Sequence, residues 1–168
     1  MKRTVYRPLV LALLLSGFLY AAAESPRSPL VPCEGVTGPC VVLAMQPEDI
    51  VGIWKQYLGN PMFGAPDGMG FIRYNLDGTF VLADTPENTA APYQNYPRGS
   101  YTLEDGVLTL MVEGEMIPPE CRTGRHELRV YRYGEQPVAL HHTLLEDDCV
   151  IRLQDLSQPH VWVAPVTE

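Results

Sequence analysis

Four histidines, His126, His141, His142 and His160, are the side chains best able to exchange a proton near neutral pH. His141 and His142 are adjacent, so on a strand they point to opposite faces and cannot share one metal ion. His142 alternates with Leu140 and Leu144, which places it on an apolar face, more readily as a core histidine bonded to a neighbour than as a ligand or base. His126 and His160 have no partner at metal-ligand spacing. The run Glu146-Asp147-Asp148 could meet calcium with nearby carbonyls, but it lacks a regular ligand spacing and reads as a solvated turn. Nucleophilic hydrolysis needs a nucleophile, a base and an orienter. Ser25, Ser28, Ser100 and Ser157 lie outside any Gly-x-Ser-x-Gly elbow. These residues predict no catalytic centre, no metal and no cofactor.

The cysteines have a simpler chemistry. Cys33, Cys40, Cys121 and Cys149 fit no zinc spacing. An even count in an exported chain reads as disulfides, with three pairings possible. The economical one is Cys33–Cys40, across a Gly/Pro-containing turn, with Cys121–Cys149. Loop entropy gives the second bridge roughly 3–4 kcal/mol.

Export is itself read from the N-terminus. Lys2, Arg3 and Arg7 precede an apolar run from Leu9 to Tyr20, and Ala21, Ala22 and Ala23 follow. This is the order of a secretory signal peptide over residues 1–23, and it predicts a secreted, periplasmic or cell-envelope protein. The run is shorter than the ~20 residues of a membrane-spanning helix, although retention as an anchor is an alternative. Cleavage would remove three positive charges and no negative ones, moving the formal charge from -8 to -11. So acidic a surface repels phosphate backbones and anionic membranes, which excludes nucleic acid as the expected partner.

The elements that must position these residues are strands. A Pro/Ser-rich linker with the Cys33/Cys40 turn is expected over 24–46, and a β domain over 47–165. Pro47-Glu48-Asp49 suits a short helical turn or a turn before a strand. Ile50 to Tyr57 is rich in β-branched and aromatic residues. Asp77-Gly78 separates Phe71–Asn75 from Thr79–Ala83, and Asp105-Gly106 separates Gly99–Leu103 from Val107–Val112. Both read as hairpins, because Gly accepts positive φ. Glu127–Tyr133 and Val138–Leu145 form a third pair across Gly134 to Pro137. With Val150–Leu153 and Val161–Val163 the count from Ile50 reaches about nine strands. The expected fold is all-β: an antiparallel up-and-down barrel of about eight strands, whose closure removes unpaired edges.

Gly52-Ile53-Trp54 on the first strand resembles the Gly-x-Trp motif of lipocalins. The run from Gly70 to Phe80 is similar to the second and third strands of bacterial lipocalin-like domains. Cys121, Gly124, Leu128, Val130, Leu140, Leu144, Asp148, Cys149 and Arg152 extend the likeness along most of the chain. The resemblance implies an eight-stranded barrel with a cup-shaped interior. It also implies that Trp54 closes the base with Arg152, from a late strand, across its indole, a favourable cation–π arrangement. The later Thr-Asp-Tyr motif is missing, with Val130–Glu135 in its place, and too few residues follow for the long C-terminal helix.

In such a barrel the segment from Gly59 to Gly70 joins the first two strands at the open end. Met62, Phe63 and Met69 would meet an apolar guest there, or plug the mouth. Tyr74 and Tyr101 would line the cup beside His142, or simply pack. The leading expectation is a barrel that binds a small apolar or amphipathic ligand. A filled barrel acting on a protein partner through its 59–70 and 83–98 loops is the alternative, and a small-barrel enzyme using His142 is the third.

Overall fold

A computed structural model describes residues 33–58, 68–90, 96–115 and 117–166. The expected signal peptide, the linker up to residue 32, and Met62 and Phe63 lie outside the described residues. Nine strands form one antiparallel sheet: β1 (Pro39–Leu43), β2 (Gly52–Tyr57), β3 (Met69–Tyr74), β4 (Thr79–Ala83), β5 (Arg98–Glu104), β6 (Val107–Glu113), β7 (Thr123–Tyr133), β8 (Gln136–Glu146) and β9 (His160–Ala164). One short helix, α1 (Val150–Asp155), lies between β8 and β9. Strands β2 to β9 pair with their chain neighbours, and β9 pairs back onto β2, closing an eight-stranded barrel.

The extra strand comes from residues expected within the linker. β7 is eleven residues long, and β6 pairs with it only from Thr123 to Glu127. The rest of that edge, Arg129 to Tyr133, is taken by β1. β1 thus continues β6 and covers backbone groups that would otherwise be an open edge.

The three hairpins form where the turn residues predict them. Asp105 and Gly106 both have positive φ, at 50° and 81°, which matches the right-handed twist of β5 and β6. The Asp77 carboxylate accepts from the Thr79 amide and hydroxyl at 2.9 and 2.6 Å, pinning the β3–β4 turn. The run 150–153, expected as a strand, is instead the first turn of α1, followed by the β9 strand that closes the ring. The Cys149 N-terminus is tied down there by its bridge to Cys121, and Cys33 pairs with Cys40, as the economical reading required.

Alternation along each strand decides the lumen. Trp54 and Gln56, Ile72 and Tyr74, Leu108 and Leu110, and Leu128 and Val130 are buried, while their chain neighbours are partly or fully exposed. On β8 the buried set is Leu140 and His142, so His141 faces the other side. Trp54 donates from Nε1 to the Ile50 carbonyl at 2.8 Å and meets Trp162 edge-on, with centroids 4.8 Å apart. A bulge between Ile53 and Trp54 sets those two indoles opposite each other, and Trp162 lies over Gly52, where a β-carbon would overlap its ring.

Candidate functional site

Three of the four histidines converge in the lumen. His126 follows Gly124 on the inward face of β7, His142 follows Leu140 on β8, and His160 opens β9 opposite Leu140. All three are buried. The His126 and His142 rings stand edge-to-face at 5.8 Å, and His142 and His160 are tilted at 4.7 Å. The result is a ladder of imidazoles running through three neighbouring strands.

Its outer end is anchored by charge. His126 donates from Nε2 to Asp147 Oδ2 at 2.9 Å. Asp147 has no exposed side-chain area and also accepts from Arg152, at 2.5 Å from Nε and 2.8 Å from Nη2. The Cys149 amide donates to its Oδ1 at 2.9 Å. Arg152 further donates to the Cys121 and Thr123 carbonyls at 2.8 and 2.6 Å. The Cys121–Cys149 bridge joins the two segments that carry this network. Gly124 is required beneath it, because a β-carbon would overlap the Asp147 carboxylate and stand 2.7 Å from Arg152 Nη2.

Burial and partners set the protonation states. Burial pushes the Asp147 carboxyl up, but hydrogen bonds from Arg152, Cys149 and His126 outweigh it and hold the group below its usual value. Burial lowers His126, and the Asp147 hydrogen bond opposes it only in part. His142 is held well below the usual histidine range by burial, then by His160, His126 and His141. Burial pushes His160 down to about 3, and the nearby Asp155 backbone offsets this only slightly. The inner rings are therefore neutral at neutral pH. Neither nitrogen of His142 or His160 has a hydrogen-bond partner of good geometry among the described residues.

The tyrosines occupy the other side of the lumen. Tyr74 and Tyr101 meet edge-on at 5.2 Å. Tyr101 donates to the Asn75 carbonyl at 2.7 Å, and burial pushes its phenol up to about 12. The Tyr74 hydroxyl is fully buried and has no partner among the described residues.

The structure therefore separates the residues singled out in the sequence. Tyr74, Tyr101 and His142 share the lumen. Met69 lies on the outward face of β3, in a groove of about 340 Å³ shared with Lys55, Tyr57 and Val161. Trp54 has Trp162 as its aromatic neighbour, whereas Arg152 sits on α1, not a late strand, and its guanidinium is bound to Asp147 and two carbonyls. The acidic run is a solvated turn only in part, since Asp147 turns inward. Sequence reasoning missed this residue, and the available signal was Arg152 five residues downstream beyond a bridged cysteine. Among the described residues no three His, Cys, Asp or Glu side chains are grouped to hold a metal ion, and no helix is long and apolar enough to cross a membrane.

What this arrangement can do is bond or bind protons: the His142 imidazole and the Tyr74 phenol hold unused hydrogen-bonding capacity inside a closed wall. No protein-family model, no curated protein and no solved structure matches the chain.

Proposed function

We propose that this chain is an extracytoplasmic, filled barrel that works through its outer surface, as a protein-interaction or inhibitor module. The carrying observation is the packing of the lumen. Trp54, Tyr74, Leu108, Leu128, Val130 and Leu140 retain no accessible area. A void that admits a water-sized sphere would leave accessible area on its walls, so the full burial of these side chains supports a filled interior over a cup for a lipophilic guest. Meanwhile apolar side chains stand outside: Leu144 and Leu145 at 51% exposure and Val150 at 67% flank the end of β8 and the start of α1. Two disulfides suit an oxidising compartment. The basic and apolar order of the first 23 residues supports secretion. The Gly52-Ile53-Trp54 opening and the pairing of β9 back onto β2 support a lipocalin-like kinship.

Native mass spectrometry of the purified protein, joined to a thermal-shift screen with fatty acids and retinoid-like probes, tests this reading. The expected result is a bare mass and an unmoved melting temperature. A co-purified small molecule, or a probe that raises the melting temperature, overturns it.

A second reading keeps the lumen as a binding site for a small hydrogen-bonding guest. It rests on the unpartnered atoms of Tyr74 and His142, since buried polar groups without partners are uncommon in folded proteins. The same mass measurement separates the two.

A further inference from the structure

The barrel wall is thinnest where the histidines stand. β8 and β9 are joined by two residue pairs, Ala139 with Val161 and Leu140 with His160. The next shortest junctions of the ring, β4–β5 and β2–β9, have three. Pro159 precedes His160 and has no amide hydrogen to prolong the ladder. His141 to Glu146 continue β8 beyond the last pair. His160 therefore lies at the last rung of the seam, and His142 lies one inward position beyond it.

We propose that this seam is an acid-operated opening in the barrel, held shut while His142 and His160 are neutral and released when they take up protons. Their rings are 4.7 Å apart, so two imidazolium charges would face each other inside a wall that excludes water. The groups around them do not neutralise that charge. From β7 comes His126, whose Nε2 is bound to Asp147. The Asp147 carboxylate is in turn held by Arg152 of α1. From β8 comes His141, and from α1 the backbone of Asp155 beside His160. Among the described residues, the carboxylate bonded to the ladder, Asp147, is thus already committed to a cation. Once β8 and β9 part, the rings reach water and protonate freely.

The sign follows from which state binds the protons. The closed seam holds the two histidines below 6.5, whereas an open seam lets them titrate near that value. Opening is therefore favoured as pH falls through 6.5, tenfold per pH unit for each histidine, down to the closed-state value. At pH 4.5 this is about a hundredfold from His160 alone, whose closed-state value is about 3, and His142 adds to it in the same direction. The device goes beyond the filled-barrel reading and does not depend on it.

Hydrogen exchange followed by mass spectrometry on the intact, disulfide-bonded protein tests the proposal, with rates corrected for intrinsic pH dependence. Between pH 7.5 and 4.5 the amides flanking Leu140 and Val161 should gain at least a hundredfold in opening, ahead of those in β5 and β6. The double variant His142→Leu/His160→Leu should flatten that response. Carbon-13 titration of the imidazoles in the wild-type protein supplies a reading that needs no variant: the two seam histidines should stay neutral while the seam is closed and charge as it opens. Seam amides that ignore pH, equal acceleration in every strand, an unchanged response in the double variant, or seam histidines that charge without opening would each overturn it.

Discussion

Replacing Arg152 by Met should be among the most damaging single changes in the barrel, and the damage should change with pH in a particular direction. The guanidinium is almost wholly covered, with 10% of its side chain exposed, and its carboxylate partner has none. Met keeps much of the volume and removes the charge. Asp147 would then retain only the His126 and Cys149 donors, and the Cys121 and Thr123 carbonyls would lose theirs. Leaving one member of a buried ion pair unpaired costs about 3–5 kcal/mol. A domain has about 5–15 kcal/mol in total, so the variant should keep its fold with a midpoint well below wild type. Urea unfolding at pH 7, followed by the fluorescence of Trp54 and Trp162, measures the loss. In the wild type the Asp147 carboxyl is depressed, so its contribution is present above 3.8 and lost as pH falls below that value. Without Arg152, burial raises the same group, which then regains stability by protonating as pH drops toward 3.8. The gap between variant and wild type should therefore narrow from pH 7 to pH 4. A loss under about 1 kcal/mol, or a gap independent of pH, would refute the reasoning that this pair is buried and isolated from solvent.

Other consequences are equally concrete. Gly124→Ala should lower stability by about 1–3 kcal/mol in the same assay, because the new methyl group collides with Asp147 and Arg152, which are both fixed by several bonds. Replacing Cys121 and Cys149 together by Ser should cost roughly 3–4 kcal/mol, the loop entropy of a separation of 28 residues. Tyr74→Phe removes an unpartnered buried hydroxyl and should leave the thermal midpoint unchanged or raise it; a clear drop would point to a lumenal water or guest bonded there. Trp54→Phe should cost about 2–4 kcal/mol in thermal unfolding, since it vacates fully buried volume and orphans the Ile50 carbonyl.

The sequence by itself carried the fold class, because it is written in short-range chemistry. Asp-Gly at 77–78 and at 105–106 can be read without knowing any partner strand, since the turn needs positive φ and little else. Cysteine pairing was legible for a similar reason: Cys33 and Cys40 stand only seven residues apart across a Gly/Pro-containing turn, and the economical partner left for Cys121 is Cys149. Val150 to Leu153 was not legible, since a short apolar run suits a helix as well as a strand, and the bridge at Cys149 with Arg152 turned inward decided it. Residues 39–43 lay unnoticed as a strand because their reason to be one is the unpaired half of β7, an edge that exists only once the barrel is built. The histidine ladder is the clearest case. His126, His142 and His160 are far apart in the chain and show no metal spacing, and only the pairing of β7, β8 and β9 stacks them. Alternation could say that His141 and His142 face opposite ways, but not which face was the lumen. That choice and the committed state of Asp147 are properties of closure, which sums packing over the whole ring.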